Sequence, residues 1–194
     1  LKFIEASFTG VRFTRAELSR SVFLKCRFAG CDFSEVHMPR SLFADMKMEE
    51  TVFDRAEMPE NCFAAGEDAD ILLRNLSFKG ARLRQSNFQK LPLVGSDFSD
   101  ADLENCNFIE ADLSLADLRR AHAPGAMFRK ARLEGTQLDG INLMNGSLAK
   151  AYIVNASLAG ANLFGVDILR ATVVKSDFRF TNRENTLIED WRPS

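Results

Sequence analysis

Long apolar runs are missing from this sequence. No stretch approaches the ~18 residues that a membrane helix needs, so no membrane span is expected. Nor does the chain open with the basic start, apolar centre and small-residue cleavage site of a secretion signal. Neither sign of charge dominates. The 25 basic and 27 acidic residues leave a net charge of −2, which draws the chain in bulk to neither nucleic acid nor an anionic membrane. Histidine is scarce: His37 and His122 are alone, and neither adjoins a nucleophile. Four cysteines, Cys26, Cys31, Cys62 and Cys106, form no C-x-x-C zinc or redox pair. No glycine-rich phosphate loop occurs. These absences nominate no catalytic, cofactor-binding or metal-binding residue, no small-molecule substrate and no nucleic-acid partner.

What is abundant is phenylalanine, and it is periodic. Every fifth residue from 3 to 178 defines 36 positions, and 34 of them hold Phe, Leu, Met, Ile or Val. The exceptions are Asp68 and Ala123. Fifteen of the 17 Phe residues fall in this column, from Phe3, Phe8 and Phe13 to Phe128 and Phe178. Two residues earlier runs a second column of small residues, such as Ala16, Ser21, Ala56, Ala101, Ala131 and Ala161. Cys26, Cys31 and Cys106 occupy this slot, so they read as small buried hydrophobes. Two residues after the large one stand Gly10, Gly30, Gly80, Gly95, Gly125, Gly135, Gly140, Gly160 and Gly165, where a turn would use permissive backbone angles.

A period of five suits neither a helix nor an ordinary strand. It suits a coil of short straight faces, each burying one large and one small side chain and turning between them. Here the sequence resembles the pentapeptide-repeat family, whose pattern is A-(D/N)-L-x-x. Ala101-Asp102-Leu103, Ala111-Asp112-Leu113, Ala116-Asp117-Leu118 and Ala161-Asn162-Leu163 match it literally, and Cys31-Asp32-Phe33 and Ser96-Asp97-Phe98 are variants. The resemblance covers residues 1–180. It implies an all-β fold: a right-handed quadrilateral β-helix of about nine coils, each of four pentapeptides, with a short non-repeat C-terminal cap over 181–194. The repeat is already in phase at Leu1, from which a longer parent chain is expected. The family also implies a bacterial cytoplasmic setting, with secretion association as a variant.

Outward charges test a twenty-residue coil independently. Residues twenty apart should stack at one strand spacing, ~4.8 Å, where like charges destabilise. Signs alternate in Glu5–Lys25–Asp45, Arg15–Glu35–Arg55 and Lys90–Glu110–Lys130. They also oppose in Arg82–Asp102, Arg84–Glu104, Asp100–Arg120, Asp112–Arg132 and Arg119–Asp139. Arg20–Arg40, Arg27–Lys47 and Asp97–Asp117 run against the trend.

Few residues escape the repeat. The stretch 64–72 breaks it, and the span from Phe63 to Leu73 equals two pentapeptides. An outward loop is expected there, with Glu67, Asp68 and Asp70 as candidate contacts, because an unpaired carboxylate is costly inside. Ala121–Gly125 reads as a distorted turn. Leu187, Ile188 and Trp191 are spaced to cover an open coil end. In the last coils Met144, Tyr152, Val154, Phe164, Leu169, Val174 and Phe180 should face outward, a candidate interaction surface. The function expected is a non-catalytic interaction or scaffold module within a larger bacterial protein. Its partner would be another protein or a second copy, bound through the C-terminal coils. The alternative, implied by the family, is DNA mimicry that inhibits a topoisomerase such as gyrase. It needs a sustained acidic face, for which Asp97, Asp102, Asp112 and Asp117 are the best local argument, blunted by Arg82, Arg120 and Arg132 beside them.

Overall fold

The computed structural model describes residues 1–186. The chain winds as a four-sided solenoid, all β and without helix among the described residues. Each side is one pentapeptide. Counting sides from the first coil, face 1 begins at residue 1, face 2 at 6, face 3 at 11 and face 4 at 16. Successive coils pair in parallel, side over side. On face 1 the strands β1 (Lys2–Ile4), β3 (Val22–Leu24), β5 (Leu42–Ala44) and β7 (Cys62–Ala64) make one sheet. On face 2, β2 (Ser7–Thr9), β4 (Arg27–Ala29), β6 (Lys47–Glu49) and β8 (Leu72–Arg74) make another. Further along face 2, β9 (Tyr152–Val154) pairs with β10 (Thr172–Val174). Elsewhere single parallel bridges join the coils, as in Asp97↔Asp117 and Asn142↔Asn162.

Two kinds of corner explain why strands form only on some sides. At most corners the residue opening the next side donates its N–H to the carbonyl three back, as in Ala16 to Phe13 at 2.9 Å and Ala101 to Phe98 at 3.2 Å. That bond closes a turn. At several open corners a small side chain substitutes. Cys26 Sγ donates to the Leu24 carbonyl at 3.5 Å, Cys31 Sγ to Ala29 at 3.7 Å and Thr51 Oγ1 to Glu49 at 3.1 Å. Each follows a strand. Cys26 and Cys31 are buried, as the small-residue slot implied, and their thiols act in addition as structural donors.

The corner itself is always the same residue of the pentapeptide. Every fifth residue from 5 to 185 has a left-handed φ of about +50° to +70°, except Ala65 and Asp70. Glycine fills this position nine times, but charged and amide residues fill most of the rest. The sequence pattern revealed only the glycines. Asp and Asn just before the large residue support the turn from the other end. Asp97 Oδ1 accepts the Ser99 N–H at 2.7 Å, and Asp112, Asp117, Asn162 and Asp167 repeat the bond two residues on. This is why the family pattern demands D or N there.

Inside, the large column splits by side. Phe occupies faces 1 and 3, while Leu and Met dominate faces 2 and 4. On face 1, Phe23, Phe43, Phe63, Phe88, Phe108 and Phe128 stack with ring centroids 4.7–5.0 Å apart, which is the strand spacing. Face 3 stacks Phe33, Phe53, Phe78 and Phe98 at 4.9 Å. The two walls meet edge to face, as in Phe78 against Phe88. Beyond Phe128 the core is aliphatic through Leu148, Leu158 and Ile168 until Phe178 in the last coil. Each fully buried ring or Leu contributes about 1.5–3 kcal/mol.

Two expectations change, and the break gains a definite size. It adds one pentapeptide, consistent with a span of two from Phe63 to Leu73. Pairing is twenty residues apart before it (Phe28↔Met48) and twenty-five across it (Met48↔Leu73, Val52↔Ser77), then twenty again (Ser77↔Asp97). β7 and β8 keep their pairing on either side, so the loop is confined to 65–71. The repeat also runs past 180. Asn182 bridges Asn162, and the Leu163 N–H reaches the Asn182 carbonyl at 2.8 Å, so the ninth coil continues to 186. Finally, Ala121–Gly125 is regular: Ala123 points inward and is fully buried, and His122 bridges both neighbouring coils. A small side chain in the large slot leaves the backbone unchanged. The cap residues Leu187, Ile188 and Trp191 lie outside the described residues.

Candidate functional site

The charge columns set one edge of the solenoid apart from the other three. Three of the four edges carry ion pairs between residues twenty apart. Between faces 3 and 4, Arg15 and Arg55 both hold Glu35, at 2.8 and 3.0 Å, and Arg120 holds Asp100 at 2.7 Å. Between faces 4 and 1, Arg40 holds Glu60 at 2.9 Å, so Arg40 turns away from Arg20. Between faces 1 and 2, Lys130 holds Glu110 at 2.9 Å. The fourth edge, between faces 2 and 3, has no ion pair among the described residues. It carries Gly10, Gly30, Glu50, Asn75, Gly95, Leu115, Gly135, Asn155 and Lys175.

Leu115 is exceptional on this edge. Its φ is +60° and it is 66% exposed. A bulky side chain in left-handed backbone costs about 1–2 kcal/mol. Gly135 stands one coil further on, where a Cβ would lie 2.8 Å from Leu115 Cδ2. The Leu115 side chain therefore lies across a bare glycine, which makes the edge smooth and apolar there. Among the described residues one other left-handed corner holds a large apolar side chain: Phe180, 89% exposed.

Face 2 continues the apolar surface. Tyr152 is 55% exposed on β9, Val154 is partly covered beside it, and Val174 is exposed on β10 directly over Val154. Val94 is exposed two coils below the Arg132–Glu134 pair, whose side chains meet at 3.1 Å. A cleft of about 310 Å³ lies between that pair and Tyr152 and Val154. Arg132 also approaches Asp112 at 3.8 Å.

The seven predicted interaction residues do not form one patch. Tyr152, Val154 and Val174 share face 2. Met144 and Phe164 stack on face 4, Leu169 lies on face 1, and Phe180 stands at the corner of faces 3 and 4. Sequence reading missed Val94 and Leu115. The signal for Leu115 was present: it is a large apolar residue in a glycine column.

Other expected pairs are redistributed. Arg82 leaves Asp102 for Glu57, at 3.0 Å, because the insert places those two in register. Arg84 takes Asp102 at 2.6 Å and Glu104 at 3.1 Å. Arg119 grips Asp117 on its own side at 2.6 Å rather than reaching Asp139. Arg179 does the same to Asp177, and its hydrogen bonds hold that carboxyl below its ordinary range. No ion pair joins Glu5, Lys25 and Asp45 among the described residues. The four-Asp cluster is also divided: Asp97 and Asp117 are on face 3, Asp102 on face 4 and Asp112 on face 2.

His37 and His122 share face 4 and are exposed. Coil stacking brings His122 near Asp102 and Glu104, with one ligand atom from each within 4.8 Å of the others, a grouping that the sequence reading did not nominate. Arg84 already sits against both carboxylates, so the positive charge there is supplied by the protein. Of the cysteines, Cys26, Cys31 and Cys106 are buried and Cys62 is partly exposed. Burial pushes the Cys106 thiol up to about 12, which leaves it without nucleophilic character at neutral pH.

Comparison with known proteins agrees with this geometry. A family model for pentapeptide repeats matches in eight copies, including residues 2–38, 96–135 and 106–145. HetL, a pentapeptide-repeat protein involved in heterocyst differentiation regulation from the cyanobacterium Nostoc sp., superimposes with a TM-score of 0.61 at 21% identity, over 98% of this chain and 90% of that one. A trypsin-treated form of QnrB1, a plasmid-mediated fluoroquinolone resistance protein, gives 0.65 at 17% identity over 91% and 92%. A pentapeptide-repeat protein of the Arabidopsis thaliana thylakoid lumen gives 0.52 at 25% identity over 53% and 71%. No curated protein sequence matches the chain.

Proposed function

We propose that this chain, which belongs to the pentapeptide-repeat family, is a protein-interaction module that docks through the apolar edge of faces 2 and 3. Leu115 carries the proposal. A large apolar side chain is kept exposed, in strained backbone, on the one edge that lacks ion pairs among the described residues. The left-handed corner is common to every coil, so what sets Leu115 apart is its exposed apolar side chain, which adds nothing to the core and fits a surface kept for contact. Tyr152, Val154 and Val174 extend the surface, and Arg132 and Glu134 supply a polar rim, the composition typical of a protein interface. The partner is a protein, either a second copy or another chain. Binding rather than catalysis fits the site, since its side chains include no nucleophile with a base beside it. No helix among the described residues is long and apolar enough to cross a membrane.

The topoisomerase-inhibitor alternative gains little from the surface. Likeness to QnrB1 at 17–19% identity speaks to fold. A DNA mimic needs one continuous negative face, and here the aspartates are divided among three faces, with Arg84, Arg119 and Arg132 against them. The test is Leu115→Asp combined with Tyr152→Glu. Both side chains are exposed, so the solenoid should keep its urea midpoint while sedimentation mass or partner capture falls. Unchanged mass and unchanged capture would sink the proposal. Inhibition of gyrase supercoiling by this double variant and the parent chain alike would favour the alternative.

A further inference from the structure

The loop made by the extra pentapeptide lies against an unusual piece of face 2. There Arg27 and Lys47 pair directly in register between β4 and β6, like charges at one strand spacing. Such a pair destabilises the sheet unless an anion neutralises it. The loop supplies that anion. The Asp70 carboxylate meets Lys47 Nζ, and Asp45 Oδ1 accepts the Gly66 N–H at 2.7 Å, which ties down the start of the loop. Lys47 is covered by this arrangement: its side chain is 25% exposed, whereas every other ion-paired Lys or Arg among the described residues is 45–76% exposed. Asp70 itself is 85% exposed, so it is held from outside and is free to leave. Between loop and sheet lies a cleft of about 290 Å³, lined by Lys25, Arg27, Asp45, Lys47, Asp68 and Asp70. Among the described residues Lys25 and Arg27 make no ion pair.

We infer that this cleft is a second binding site, for an acidic extended segment of a partner protein, and that the loop occupies it in cis as an internal competitor. The loop itself defines the ligand chemistry. It is a short segment that brings two carboxylates, Asp68 and Asp70, to a basic floor. A partner segment with the same spacing would take Lys47 from Asp70 and gain Arg27 and Lys25. A peptide suits the cleft better than nucleic acid, because Asp45 at its edge accepts a backbone N–H, as it does from Gly66, and a phosphate backbone has none to donate. The site lies at the other end of face 2 from Leu115 and Tyr152 and does not depend on the apolar edge.

The architecture offers a clean test. Residues 66–70 are one whole repeat unit, so excising them joins Ala65 to Ile71 in phase and restores a twenty-residue offset. The probe is a fluorescent peptide with the sequence of residues 64–71, followed by anisotropy at low salt. A tethered competitor acts at roughly millimolar effective concentration, so the excised chain should bind the probe at least about tenfold more tightly than the intact chain. Added salt should weaken this binding, and Arg27→Ala or Lys47→Ala in the excised chain should abolish it. Asp68→Asn with Asp70→Asn in the intact chain should open the cleft in the same way, and that variant keeps the loop should the excised chain fail to fold. Equal binding by intact, excised and Asn-substituted chains would overturn the inference, as would binding indifferent to Lys47→Ala. A single-stranded oligonucleotide that displaces the peptide from the same lysines would overturn its assignment to a protein segment.

Discussion

The edge between faces 3 and 4 and the edge between faces 2 and 3 share one backbone. Both are columns of left-handed corners, one per coil, over the same stacked core. On the first stand Arg15, Glu35, Arg55, Asp100 and Arg120, joined in ion pairs. On the second stand mostly glycine and asparagine, with Leu115 among them. The core and the turn chemistry therefore do not dictate what an edge displays. What differs between the edges is open to selection for binding, and the smooth edge is the one proposed to dock a protein.

The largest effect should come from the scaffold that both edges share. Phe78→Ala opens the face 3 stack between Phe53 and Phe98 and should cost about 3–5 kcal/mol, read as a fall in urea midpoint, with both edges lost together. If the edges differ only in display, no core substitution should disturb one alone. Alkaline titration probes the same scaffold. The buried Cys106 keeps its proton to about 12, while the unfolded thiol ionises from about 9. The native state then holds more protons across that window. Stability is intact at neutral pH and declines as pH rises from about 9 toward 12. Cys106→Ala should flatten the decline in pH-dependent urea melts.

Smaller effects separate the edges. Leu115→Gly relieves the left-handed strain but loosens the unfolded chain, so a net gain of up to ~1 kcal/mol is expected, with weaker partner binding. Calorimetry of this variant should show a higher midpoint beside a lost complex. Arg120→Ala on the charged edge should change stability by only ~0–1 kcal/mol and leave binding intact, because an exposed ion pair contributes little. A larger effect of Arg120→Ala than of Leu115→Asp on complex formation would reverse the assignment of edges.

Much of this was legible in the sequence because one side chain per pentapeptide must point inward. Phe23, Phe53 and Leu103 announce the core by position alone, and the Ala and Cys column announces the tight side beside it. The insert was legible as a break at Asp68, but not whether that pentapeptide makes a side of the coil or leaves it. Phase is conserved either way, and only pairing such as Met48↔Leu73 decides. Ion pairs were legible where coils stack without interruption, as in Arg15–Glu35, and misassigned at Arg82, which the insert moves into register with Glu57. The outward apolar residues were legible singly but not as a patch. Met144 and Tyr152 are eight residues apart, which places them on different faces of a coil with five residues per side. Leu115 went unnoticed because the glycine column was read as turn chemistry rather than as an edge.

Site-specific photocrosslinking in cells that express the protein tests the central claim most directly. A photoreactive phenylalanine analogue is placed at Leu115 or Tyr152, with Arg55 and Arg120 on the charged edge as controls. The account predicts one discrete crosslinked protein, either a second copy or a single partner, from Leu115 and Tyr152 and none from the controls. Crosslinks of equal yield from all four positions, or none from Leu115 and Tyr152, would contradict it.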